Sequence, residues 1–132
     1  MAHVLVVDDE HDVAALIKLL LEKHGHAVQT ASNGEEALAR LGVEPPDPSA
    51  PLPDLVIMDV IMPVMDGFTA CQRLAADPRT RAVPVLVLTG KGGTREVFAQ
   101  TPNVAAQIDK PFHPSALLEL LRGMLPDARK PA

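Results

Sequence analysis

Apolar residues in this chain come either in short unbroken runs or in helical stripes, and the two patterns alternate along its length. His3-Val-Leu-Val-Val7 is aliphatic without polar alternation, the mark of a strand buried on both faces. Val13, Leu16, Ile17 and Leu20 then recur at helical spacing, and Gly25 supplies a stop. Residues 27–31 read as a short second strand. Asn33, with Glu36 three residues on, makes a capping-box-like start for a helix with the inner stripe Ala37, Leu38 and Leu41, ended by Gly42. Residues 54–58 form a third strand. Asp66-Gly67 opens a helix through about Ala76 that Asp77-Pro78 ends. Residues 83–88 are a fourth strand, and Gly90, Gly92 and Gly93 predict a mobile loop before a short helix near 94–101. Thr101-Pro102-Asn103 turns into a weaker fifth strand, Val104 to Ile108. Pro114 suits the first turn of a last helix whose Leu117, Leu118, Leu121 and Met124 face inward.

Strand followed by helix, five times, predicts an α/β fold: a five-stranded parallel sheet with helices on both faces. The 132 residues suit one domain, here bounded at 1–125, with 126–132 a polar tail or the start of a linker. The segment from Glu44 to Pro53 breaks the rhythm. Its prolines Pro45, Pro46, Pro48, Pro51 and Pro53 exclude helix and central strand, so a stiff surface loop of polyproline character is expected. Because it enters the third strand at its amino end, it belongs opposite the edge where the strands finish. A spacer role is favoured over a docking peptide.

Composition removes several functions. A net charge of −5 argues against a surface built for nucleic-acid phosphates, and the absence of Trp and Tyr argues against base-stacking platforms. The single Cys71 excludes a disulfide framework and suits a reducing cytoplasm. No apolar stretch reaches membrane-spanning length, and no signal peptide opens the chain.

Chemistry collects where the strands end. Asp8-Asp9-Glu10 closes the first apolar run, Asp59 the third, Thr89 the fourth, and Lys110 the fifth. In an open parallel sheet the carboxyl ends of the strands form the ligand-binding edge. Crowded carboxylates repel, and a hard cation with oxygen ligands relieves them. Magnesium would take Asp9 and Asp59 directly, Asp8 through water, and the backbone carbonyl of Ile61. A carboxylate can also attack phosphorus to form an aspartyl phosphate. Lys110 would then neutralise one phosphoryl oxygen while Thr89 donates a hydrogen bond to another.

These residues resemble the receiver domain of bacterial two-component response regulators. Asp8-Asp9-Glu10 is similar to the acidic pair, and Asp59 within Met58-Asp59-Val60-Ile61-Met62-Pro63-Val64-Met65-Asp66-Gly67 to the phospho-acceptor and its following loop. Leu88-Thr89-Gly90 resembles the switch threonine, and Lys110-Pro111-Phe112 the lysine with its proline. The likeness runs from about residue 3 to 125. It implies a doubly wound, flavodoxin-like sheet of order 2-1-3-4-5 with five helices, Mg2+ binding, and phosphoryl transfer from a histidine kinase or phosphotransfer protein to Asp59. It also implies a cis bond at Lys110-Pro111 and a phosphorylation-dependent change in binding to a downstream protein effector. No direct nucleic-acid or membrane partner is expected, and the expected state is a monomer or weak dimer. The domain either stands alone or belongs to a longer regulator.

Departures from the family pattern sharpen the expectations. Gln107 stands three residues before the lysine, where many receivers carry Tyr or Phe. It has no ring to bury, so output through the usual face stands beside output through another surface or a weaker switch. Ile61 and Lys91 lie two residues beyond Asp59 and Thr89, positions that the resemblance implies tune phosphoryl lifetime. An apolar Ile61 cannot orient water, so slow self-dephosphorylation is expected. Two other functions compete with the switch. One is a phosphorylation-independent scaffold, which Gln107 favours slightly and the intact acidic pair, Asp59, Thr89 and Lys110 oppose. The other is a magnesium-dependent aspartyl-phosphate phosphohydrolase, which Ile61 opposes because such enzymes place an acid/base Asp there.

Several features read as structure. Gly90-Lys91-Gly92-Gly93-Thr94 follows a strand but fails the phosphate-loop pattern at Gly92 and Val85. His24 and His26 flank a helix stop without a third metal partner, and His11 reads as an exposed first-turn residue. Cys71 reads as a packed thiol, and Met58, Met62 and Met65 as core and loop packing.

Overall fold

The computed structural model describes residues 2–90, 101–110 and 112–125. Its strands are β1 (His3–Val7), β2 (Ala27–Ala31), β3 (Leu55–Asp59), β4 (Val85–Thr89) and β5 (Val104–Asp109). Its helices are α1 (His11–Lys23), α2 (Gly34–Arg40), α3 (Gly67–Ala76) and α4 (Pro114–Arg122). The strands form one sheet in the order β2-β1-β3-β4-β5, with every pair parallel. This is the doubly wound architecture expected. Four helices fall among the described residues. The helix expected near 94–101, the loop at Lys91-Gly92-Gly93, Pro111 with its peptide bond, and the tail 126–132 lie almost wholly or wholly outside them.

Two apolar layers sandwich the sheet. One joins Leu5, Val7, Val56, Met58, Val85 and Val87 to α2 and α3. The other joins Val4, Val6, Leu55, Ile57, Leu86 and Leu88 to α1 and α4. Side chains alternate faces along a strand, so both residue sets of each inner strand are buried. That is why β1, β3 and β4 read as unbroken apolar runs.

Local chemistry sets the helix starts. Asn33 accepts from the Glu36 amide at 2.8 Å, and Glu36 reaches back to the Ser32 amide at 2.8 Å. That bond holds the Glu36 carboxyl below its usual range. Asp66 caps α3 by accepting from the Thr69 amide at 2.7 Å.

The structure corrects three expectations. Helix α1 meets the sheet through Ala14, Ile17 and Leu21, leaving Leu16 42% and Leu19 54% exposed. The expected stripe of Val13, Leu16, Ile17 and Leu20 is thus displaced around the helix. Apolar residues on two neighbouring faces satisfy the same period, and contact with the sheet selects one. Strand β4 begins at Val85 rather than residue 83, because Val83 is held in a turn by its bond to the Thr80 carbonyl (2.9 Å). The proline-rich segment folds as consecutive turns, with a cis bond at Glu44–Pro45, rather than as an extended polyproline strand. Arg79 gathers it, donating to the carbonyls of Leu41 at 3.0 Å and Ala50 at 2.6 Å, and Arg73 pairs with Glu44. The segment then feeds Asp54, which accepts from the His3 amide at 2.8 Å at the start of β1. It therefore lies at the amino end of the strands, as expected.

Candidate functional site at the carboxyl edge of the sheet

The period of two along each strand decides what meets at its end. Asp8 continues the Val4, Val6 face of β1, Asp59 the Leu55, Ile57 face of β3, and Lys110 the Ala106, Ile108 face of β5. All three side chains therefore emerge on the α1–α4 side. Lys110 Nζ lies 2.9 Å from Asp8, 3.0 Å from Glu10 and 3.3 Å from Asp59. Oxygen atoms of Asp8, Glu10 and Asp59 lie within 4.8 Å of one another. Glu10 is the member that sequence reasoning passed over, although it stands in the acidic triplet. Asp9 lies outside this cluster.

Backbone bonds hold the carboxylates in place. The Asp8 amide donates to the Ala31 carbonyl at 3.0 Å, and its side chain accepts from the Glu10 amide at 2.8 Å. Asp59 accepts from the Val60 amide at 2.9 Å. The start of α3 presses on the same strand end, where the Gly67 amide donates to the Val60 carbonyl at 2.8 Å. A Cβ at Gly67 would stand 2.1 Å from the Asp59 carbonyl oxygen, so only glycine allows this approach. The loop between them exposes Ile61 (77%) and Val64 (74%).

Thr89 ends β4 on the opposite face, in line with Val85 and Val87. It is buried, and its hydroxyl donates to the Asp109 carboxylate, its register partner on β5. The Lys110 amide donates to the Thr89 carbonyl at 2.7 Å, tying the two strand ends together. Gln107 pairs with Val87 on the same face as Thr89 and Asp109.

The electrostatics are those of an overcrowded anionic site. Burial and the neighbouring Asp8 charge push the Asp59 carboxyl up to about 6, against the pull of Lys110. Burial works to lower Lys110, but its bonds to Asp8 and Glu10 and the nearby carboxylate charges outweigh that, so it stays charged. One cation thus serves three carboxylates. This is an oxygen-rich set that fits a hard divalent ion. Elsewhere, burial and then the charge of Asp66 push the Cys71 thiol up to about 12, which fits a packed residue rather than a nucleophile.

A parallel doubly wound sheet binds its ligands outside the carboxyl ends of the strands, and here acids and a lysine converge at that edge. The chain is a member of the response regulator receiver domain family, whose model matches residues 4–122. It is 34% identical to PilH of Pseudomonas aeruginosa over 126 residues, covering 95% of this chain and 98% of that protein. It also matches longer transcriptional regulators, of which it spans about half. Among solved structures, the chemotaxis response regulator CheY4 of Vibrio cholerae superposes with a TM-score of 0.81 at 31% identity, over 95% of this chain and 99% of that one. The receiver domain of the sensor histidine kinase PA1611 from Pseudomonas aeruginosa, described with a magnesium ion coordinated in its active site cleft, gives 0.80 at 26% identity, over 93% and 96%.

Proposed function

We propose that this receiver is a phosphorylation-dependent switch that accepts a phosphoryl group on Asp59 from a histidine kinase or phosphotransfer protein and then changes its binding to a downstream protein. The observation that carries this reading is the convergence of Asp59, Asp8, Glu10 and Lys110 at one strand edge. In the reaction an Asp59 carboxylate oxygen attacks phosphorus, and the bond from phosphorus to the donor's nitrogen breaks. The electron pair stays on that nitrogen, which takes up a proton, and Asp59 becomes an acyl phosphate.

Lys110 sits where it can neutralise a phosphoryl oxygen while remaining held by Asp8 and Glu10. Asp8, Glu10 and Asp59 would hold Mg2+, with Asp9 and the Ile61 carbonyl as the further ligands expected from the sequence. The magnesium ion described in the PA1611 receiver supports that assignment. Bound there, the ion would supply charge neutralisation for phosphoryl transfer. Thr89 would donate its hydroxyl proton to the bound phosphoryl group. The exposed apolar Ile61 offers no acid or base, which sets the domain apart from a turnover phosphohydrolase. It would act as a monomer or weak dimer, through protein partners.

Intact mass after incubation with acetyl phosphate, with and without Mg2+, tests the function. A single Mg2+-dependent phosphoryl adduct, missing from Asp59→Asn, is expected. An adduct that persists in Asp59→Asn would place the chemistry elsewhere.

A further inference from the structure

We propose that Asp109 is a positioning residue that holds Thr89 away from the phosphoryl site in the unphosphorylated protein, so that the Thr89–Asp109 bond sets how readily the switch is thrown. The inference rests on the phosphoryl-acceptor reading of Asp59 and adds a residue to it.

A threonine hydroxyl carries one proton to donate. Here the nearer acceptor for that proton is the Asp109 carboxylate, with the Ile108 carbonyl 3.4 Å away. The bond is charge-assisted, the stronger kind. It is also built into the sheet, because Thr89 and Asp109 are register partners on adjacent parallel strands and share a face. A phosphoryl oxygen on Asp59 would be a second anionic acceptor for the same proton. Thr89 cannot serve both, so donation to the phosphoryl group requires release from Asp109. No covalent bond changes in this step: one O–H···O contact replaces another.

The residues around the pair bear on how it could act. Gln107 shares the face of Thr89 and Asp109, two residues before Asp109, and brings no aromatic ring whose burial would track the threonine. The Thr89 hydroxyl and the Asp109 carboxylate add a side-chain link to the backbone bonds between β4 and β5 at this end. Phosphorylation would thereby remove the Thr89 hydroxyl from the Asp109 carboxylate. Lys110, next in sequence, faces the other side and pairs with Asp8, Glu10 and Asp59. Asp109 therefore acts on the threonine without competing for the lysine.

The test compares wild type, Asp109→Asn and Asp109→Ala in three backgrounds: Thr89, Thr89→Ser and Thr89→Ala. Each protein is incubated with Mg2+ and acetyl phosphate, and in parallel with phosphoramidate. The readouts are the initial rate of adduct formation and its decay after donor removal, both by intact mass. Loss of the Asp109 carboxylate should raise the initial rate of adduct formation by about three- to tenfold, with Asn between wild type and Ala. The serine background, which keeps the hydroxyl, should respond to the Asp109 changes as threonine does. The alanine background should not respond, a pattern that loss of general stability would not produce. Equal responses in the Thr89 and Thr89→Ala backgrounds, or no rise in the Thr89 background, overturn the proposal while leaving Asp59 as acceptor. A wild-type protein that takes no phosphoryl group from either donor overturns both.

Discussion

Lys110 Nζ stands 3.3 Å from Asp59, farther than from Asp8 (2.9 Å) or Glu10 (3.0 Å), so the residue proposed to meet the phosphoryl group is anchored mainly by the other two carboxylates. The arrangement leaves Asp59 poorly compensated and the lysine well placed.

One consequence concerns metal. Replacing Lys110 with Ala leaves three close carboxylates without their cation. The variant should lose about 2 kcal/mol of stability or more in metal-free buffer, as expected when a buried charge loses its partner. Added Mg2+ should recover more of that loss than it adds to wild type, because ligand binding to the folded state is stabilising. Thermal melts with chelator and with millimolar Mg2+ check this. A Mg2+-induced rise no larger in Lys110→Ala than in wild type would contradict the assignment of the acidic cluster to the ion.

The raised Asp59 pKa makes a prediction about pH. The folded value of about 6 lies above the ordinary 3.8, so folding favours the protonated form. The group's favourable contribution is complete below about pH 4 and is lost as pH rises through about 6. Asp59→Asn, which removes the charge, should therefore raise the metal-free Tm by about 3–8 °C at pH 7.5, for a difference on the order of 1–2 kcal/mol. The advantage should shrink to nothing near pH 4. A variant less stable than wild type at pH 7.5 would show that Lys110 outweighs burial and Asp8.

Gly67 tests the geometry at the end of β3. Gly67→Ala puts a methyl group 2.1 Å from the Asp59 carbonyl oxygen, and the obstacle is backbone rather than a side chain that can turn away. Helix propensity favours alanine by about 1 kcal/mol, yet the clash should win, with a net loss of about 2 kcal/mol or more by urea unfolding. Phosphorylation of Asp59 should slow as well. An unchanged midpoint in urea would mean that α3 can step back from β3 without cost.

Ile61 bears on the lifetime of the signal. Its side chain, two residues after Asp59, is exposed and has nothing with which to orient water. Ile61→Asn supplies a donor and an acceptor there, and should speed dephosphorylation by about threefold or more. The decay of the adduct by intact mass is the measurement. An unaltered decay would place control of water access elsewhere.

Much of the site was legible in the chain itself. Strands buried on both faces must be continuous apolar runs, so the polar terminators of β1, β3 and β4, Asp8, Asp59 and Thr89, stood out as candidates, with Lys110 after the weaker β5. Parallel topology then required those ends to share one edge, and the structure brings Asp8, Asp59 and Lys110 together there. The capping signal at Asn33 and Glu36 and the helix opening at Asp66 were local, and local bonds reproduce them.

What the chain left open depended on choices among equivalent patterns. The apolar period of α1 permitted more than one inward face, and only the sheet selected Ala14, Ile17 and Leu21 over the stripe through Leu16. Proline content excluded helix and central strand between Glu44 and Pro53, but Arg79, remote in sequence, shaped the segment into turns by bonding Leu41 and Ala50. The acidic triplet marked a cluster, but three-dimensional reach decided that Glu10 rather than Asp9 joins Asp8 and Asp59 around Lys110. The bond from Thr89 to Asp109 had no sequence signal, since it depends on the register of β4 against β5. Short-range order follows from residue type and spacing, whereas register, helix rotation and side-chain reach are set by contacts between residues far apart in the chain.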